Sequence, residues 1–92
     1  MIEKLVKLEK EYYQIQEFLS SPDAVLDRKK FTDMSRRYKE LEKAVSLAKK
    51  VRDMEKSIAD ADEVLKNELD RDMIDLANSQ KNEAVSSLDA LN

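Results

Sequence analysis

The chain holds no glycine and a single proline, Pro22, in 92 residues, and that scarcity limits its folds more than any other feature. Glycine reaches positive backbone φ without steric cost, which tight β-hairpins and phosphate-binding loops require. Sheets joined by short turns are therefore disfavoured. Charged residues make up 40% of the chain and hydrophobic ones 41%, a division that suits helices with one apolar stripe and a solvated back. The apolar residues recur too regularly for a disordered chain. The length suits one domain with a continuous core, so we expect a single all-α domain over residues 1–92: an antiparallel bundle of three main helices, near 1–20, 28–66 and 70–92, the central one long and bent.

Cysteine and histidine are both absent. No disulfide framework, thiolate nucleophile or zinc knuckle can form, which fits a reducing cytoplasm. Without imidazole, the commonest general base and the commonest transition-metal ligand are missing too. Ser86 and Ser87 have no base to activate them. Carboxylate pairs at helical spacing, such as Asp60 with Glu63 and Asp72 with Asp75, read as solvated faces and not as metal sites. No catalytic, cofactor-binding or metal-ligating residue is assigned, and the expected chain is not an enzyme. Charges at Glu3, Lys4, Lys7, Glu9, Lys10, Glu11 and Glu17 interrupt the first twenty residues, leaving no apolar run for a signal peptide or a membrane span.

Met1, Leu5, Leu8, Tyr12, Ile15 and Leu19 step by four, three, four, three and four, the spacing of one helix face. Ile2, Val6, Tyr13 and Phe18 widen that stripe and predict contact with more than one neighbour. Ser20, Ser21 and Pro22 end the helix, because proline disfavours helical geometry in the residue before it. Ser21 is the expected N-cap of a short turn through Val25, and Asp27 the cap of the next helix. In that helix Phe31, Met34, Tyr38, Leu41, Val45, Ala48, Val51, Met54, Ile58, Ala61 and Leu65 keep heptad-like spacing. Two three-residue steps between Val45 and Val51 predict a local overwinding and a curve there. Asn67 is the expected left-handed residue of the following turn. The third stripe, Ile74, Ala77, Ala84, Leu88 and Leu91, is thin and interrupted by Lys81, so it should bury the least area. The pattern is still helical at Asn92 with no capping glycine, and the chain is expected to be part of a longer protein.

Charge divides by region. Residues 28–56 hold eleven Lys or Arg against five Asp or Glu, residues 57–92 three against nine, and residues 1–27 three against six. One reading is that the basic helix packs between acidic neighbours, its charges satisfied within the chain or solvated. The other is that Arg28, Lys29, Lys30, Arg36, Arg37, Lys39 and Lys43 form a patch facing RNA. A net charge of −3 argues against autonomous nucleic-acid binding but permits a contact inside a larger assembly. Tyr12 and Tyr38 occupy seam positions and are expected as core aromatics with hydroxyls at the rim. Arg28, Lys29, Arg36, Arg37 and Lys43 are the candidate contact residues.

The order of features resembles a known family. Met1-Ile2-Glu3-Lys4-Leu5, then Glu17-Phe18-Leu19-Ser20-Ser21-Pro22-Asp23, then Asp27-Arg28-Lys29-Lys30-Phe31 and Met34-Ser35-Arg36-Arg37-Tyr38-Lys39-Glu40-Leu41-Glu42 resemble the N-terminal domain of the bacterial peptide chain release factor 1 family. The likeness is strongest over residues 1–45 and looser beyond. Where the family often has an Asp-Pro pair between its second and third helices, this chain has Asn67-Glu68-Leu69-Asp70. The Ser-Pro-Asp turn and the Phe, Ser and Tyr spacing after it favour the factor that reads UAA and UAG over its sister.

The resemblance implies a cytoplasmic role in translation termination. Full-length members promote hydrolysis of peptidyl-tRNA on the ribosome, through a codon-reading tripeptide and a Gly-Gly-Gln loop in later domains. A chain without glycine cannot contain that loop. The N-terminal domain implies docking near the ribosomal factor-binding region, against ribosomal RNA and ribosomal protein, with the GTPase release factor as a further candidate partner and no membrane. The alternative is a self-associating coiled-coil scaffold or an antitoxin-like helical partner, distinguished by symmetric pairing through the main seam. Self-association of the chain through uncovered apolar surface is expected under either reading.

Overall fold

The computed structural model describes residues 1–91. Four α-helices, α1 (Ile2–Leu19), α2 (Arg28–Glu40), α3 (Glu42–Asn67) and α4 (Arg71–Leu91), account for most of the chain, with a short 3-10 helix at Pro22–Leu26 between the first two. No strand occurs among the described residues, and the fold is all-α. The chain divides into two compact units, Met1–Ala48 and Lys49–Asn92.

In the first unit, α1 buries Leu5 and Ile15 and half-buries Leu8, Tyr12, Phe18 and Leu19. Val6 and Tyr13, expected to widen the stripe toward a second neighbour, are instead exposed. Ser21 caps the 3-10 helix, its hydroxyl accepting from the Asp23 N–H at 3.3 Å, with Pro22 at the first helical position, where a missing N–H costs nothing. Ala24 of this short helix is buried. Asp27 caps α2 by accepting from the Lys30 N–H at 3.0 Å. Both expected caps are therefore in place.

The long central helix predicted over 28–66 is divided at Leu41. This residue stays in the right-handed region at φ −83° and ψ −8°, but its ψ is far from the helical value of about −42°, and α2 ends and α3 begins on either side of it. Its N–H still reaches Arg37 O at 3.1 Å and its carbonyl accepts from the Val45 N–H at 3.1 Å. Leu41 is also 2% exposed, the largest fully buried side chain, so the deviation coincides with a packing anchor. Through Val45 to Val51, where overwinding was expected, α3 is unbroken.

The second unit is a hairpin of the remainder of α3 and of α4, joined by residues 68–70. Asn67 is not left-handed, since no described residue has positive φ. Side chains make the turn instead. Asn67 Nδ2 donates back to Glu63 O at 3.1 Å, Glu68 Oε1 accepts the N–H groups of Leu69 and Asp70, each at 3.0 Å, and Asp70 Oδ1 caps α4 through the Asp72 N–H at 2.9 Å. Acidic side chains at a helix N-terminus satisfy its orphan donors and complement its dipole. Across the hairpin Lys81 Nζ meets Asp62 Oδ1 at 2.7 Å, which explains why a lysine interrupts the apolar stripe of α4. The stripe itself is thin as expected: the buried residues of α4 are Ala77 and Ala84.

The candidate docking face of the second helix

Helix α2 is antiparallel to α1, because contacts made further along α1 fall earlier on α2. Glu11 pairs with Arg37, Tyr12 stacks on Tyr38, and Phe18 lies under Lys30. Met34, Tyr38 and Leu41 supply the apolar side. The two tyrosine rings are 4.2 Å apart and 13° from parallel, with Tyr13 edge-on to Tyr12 at 5.3 Å. Hydroxyls at the rim are used: Gln16 Nε2 donates to the Tyr38 hydroxyl at 2.9 Å. A hydrogen bond from Tyr12 to that same hydroxyl, with burial behind it, holds the Tyr12 proton and pushes its pKa up to about 12.

Two of the seven cations of the candidate patch belong to this inner side. Lys30 Nζ sits 4.5 Å from the centroid of the Phe18 ring, a cation–π contact. Arg37 grips Glu11 with both arms, Nε to Oε2 and Nη2 to Oε1 at 2.9 Å, and reaches Glu40 at 3.6 Å. The Arg37 hydrogen bond pulls the Glu11 carboxyl below its ordinary value and raises the guanidinium in turn. Of the candidate contact residues, Arg37 is thus engaged within the chain. The spacing carried that signal: Arg37 is three residues after Met34 and four before Leu41, and Lys30 four before Met34, so both fall on the apolar seam.

The other candidates lie elsewhere. Arg28, Lys29, Arg36 and Lys43 are exposed and make no ion pair among the described residues. Within α2, Lys29, Thr32, Arg36 and Lys39 follow one another at steps of three, four and three and share one face, opposite the seam, and Lys43 at the start of α3 stands a further four residues on. Lys39, also exposed and unpaired, belongs with the best candidates, as its position three after Arg36 signals. At the start of this face a cavity of about 590 Å³ is lined by Val25, Arg28, Phe31 and Thr32. Phe31, expected in the seam, is 36% exposed and lies at its margin.

Two further ion pairs lie within single helices. Lys56 pairs with Asp60 at 3.2 Å and Arg71 with Asp75 at 3.3 Å, each one helical turn apart, which occupies one carboxylate of each pair considered above. No helix of the described residues is long and apolar enough to cross a membrane.

The fold and this face define an all-helical chain in which the most basic helix is fastened along one side and open along the other. Comparison with known proteins gives its family. The PCRF domain model matches residues 8–92, and the chain belongs to that family. It is 28% identical over 91 residues to peptide chain release factor 1 of Bacillus licheniformis, covering 99% of this chain and 26% of the relative. Against peptide chain release factor 1 of Ligilactobacillus salivarius it is 33% identical, over 92% of this chain and 25% of the relative. The Bacillus subtilis factor gives 28% identity with 99% and 26% coverage. The chain therefore spans about a quarter of the length of the curated relatives it matches. No solved structure matches it.

Proposed function

We propose that this chain serves translation termination as the N-terminal docking domain of a release factor, contributing attachment to the ribosome while codon reading and peptidyl-tRNA hydrolysis belong to other domains. Support comes from the family, from the relatives it resembles, and from one observation above all. The cations of α2 are sorted, with Arg37 and Lys30 consumed in holding α1 while Arg28, Lys29, Arg36 and Lys39 project unpaired from the opposite face, and Lys43 at the start of α3 is unpaired too. An unpaired cationic face attracts polyanions over roughly a Debye length, about 10 Å at moderate salt, and speeds encounter without reading sequence. Ribosomal RNA and acidic ribosomal protein in the factor-binding region both present such a field. UAA and UAG are the codons this reading assigns to the complete factor.

Association with 70S ribosomes, followed by stopped-flow fluorescence of the labelled chain, tests the reading. Combined reversal of Arg28→Glu, Lys29→Glu and Arg36→Glu should slow association at least about tenfold at low salt, with the difference closing as salt rises. An unchanged rate removes the face from the mechanism.

A further inference from the structure

The basic face of α2 begins beside apolar surface that nothing in the first unit covers. Val25 of the 3-10 helix is 70% exposed, and it lines the cavity of about 590 Å³ together with Arg28, Phe31 and Thr32. Leu26, next in sequence, is 79% exposed. The side chain that this short helix buries is Ala24, so its two aliphatic residues are left in water without the gain of burial. Charge runs on from the cavity. Helix α2 holds six basic residues against two acidic, and Arg28, Lys29, Arg36 and Lys39 make no ion pair among the described residues. From Arg28 to Lys39 they span about 17 Å at about 1.5 Å per residue. The carboxylates nearby do not cancel them: Asp27 is turned to the helix end, accepting from the Lys30 N–H, and Glu40 is reached by Arg37. Asp33, four positions after Lys29, borders the face on the side away from Phe31.

We infer that this end of α2 binds an acidic segment of a partner protein, which seats an apolar side chain in the Val25–Phe31 cavity and lays its carboxylates along the Arg28–Lys39 face. The inference rests on the docking role proposed above and narrows its partner from polyanions in general to protein. Two features of the surface select that chemistry together. Unpaired cations attract any anion and set the rate of encounter. The apolar residues discriminate, because a phosphate backbone would meet the cations and leave Val25 and Phe31 wet. A nucleobase could stack on Phe31, but the aliphatic Val25 lining the same cavity offers no such face. An aliphatic or aromatic side chain is covered by both, and the Thr32 hydroxyl and Arg28 guanidinium at the margin are donors for the partner's backbone or carboxylates. Anchors of this kind, a large side chain in a pocket with charges around it, carry most of the binding energy of an interface.

The test uses the whole chain and a synthetic glutamate-rich peptide of about twelve residues, matching the Arg28–Lys39 track, with one leucine near its end. A peptide identical except for serine in place of the leucine, and a single-stranded RNA of equal charge, are the comparisons. Fluorescence anisotropy should show the leucine peptide bound at least about tenfold tighter than the serine peptide, the ratio that burying one leucine supports. Val25→Ser and Phe31→Ala should each remove most of that preference, and Leu76→Ser, in the other unit, should leave it as it was. Val25 is exposed, so circular dichroism should report an unchanged fold for Val25→Ser. Arg28→Gln should weaken both peptides alike, with the loss shrinking as salt rises. Equal binding of the two peptides, or a leucine preference that survives both Val25→Ser and Phe31→Ala, overturns the inference. So does tighter binding of the RNA than of the leucine peptide. The ribosome experiment above separates the two readings: slowed association of the charge-reversed chain without any leucine preference overturns this inference and leaves the docking role standing, whereas a leucine preference with an unchanged ribosome rate supports the site and overturns the docking role.

Discussion

The two compact units, Met1–Ala48 and Lys49–Asn92, are held by different means. The first unit uses large, directional contacts: a stacked tyrosine pair, a two-armed Arg37–Glu11 bridge and the wholly buried Leu41. The second uses close approach of small residues, with Ala61, Ala77 and Ala84 buried and the Lys81–Asp62 ion pair spanning the helices. Large contacts fix which face of α2 turns inward, and therefore which cations remain outside. Alanine seams set spacing but leave the neighbouring positions, Met73 and Leu76, uncovered.

Truncation and enlargement should affect the two units in opposite ways. Leu41→Ala removes the largest fully buried side chain and should cost about 2–5 kcal/mol in urea unfolding, the greatest loss of any single change considered. In the second unit the damaging change is growth, because Ala77 lies in a seam with no room: Ala77→Leu should cost about 1–3 kcal/mol, measured the same way. A gain in stability from Ala77→Leu would show that the hairpin is loosely packed. Lys81→Met should change stability by about 0.5 kcal/mol or less, since both partners of its ion pair are about two-fifths exposed and screened by solvent.

The titrating groups of the first unit sharpen the contrast further. Because the Glu11 carboxyl is lower in the folded chain than its ordinary 4.5, its stabilisation is complete above that value and is lost as pH falls through the folded pKa. Glu11→Gln should flatten that part of an acid-unfolding curve. Tyr12 is shifted the other way, to about 12, so its contribution is intact below the ordinary 10 and disappears as pH rises from 10 toward 12. Ultraviolet absorbance of tyrosinate should therefore show one tyrosine ionising late, and Tyr38→Phe should return it toward its ordinary value.

Much of this was legible in the sequence, because helix stripes and caps are local. Steps of three and four located the helices, and Ser21, Pro22 and Asp27 announced their own roles through short hydrogen bonds to nearby backbone. The division at Leu41 was not legible: no glycine or proline marks it, and Tyr38, Leu41 and Val45 keep unbroken spacing through it. The turn at 67–70 was misread because asparagine suggests a left-handed residue, whereas Glu68 and Asp70 cap the backbone with their carboxylates. Charge counts identified the basic helix but not which of its cations are spent. Arg36 and Arg37 are adjacent and chemically identical, and only the 100° turn between successive residues sends one toward Glu11 and the other to solvent.

That adjacency supplies the most direct test of the account. Arg36→Ala and Arg37→Ala should be compared in one experiment that records both the melting temperature of the chain and its association rate with 70S ribosomes at low salt. Arg36→Ala should slow association and leave melting unchanged, while Arg37→Ala should lower the melting temperature and affect association less at temperatures where the chain is folded. A stable Arg37→Ala chain that no longer reaches the ribosome, or an Arg36→Ala chain that melts early, would contradict it.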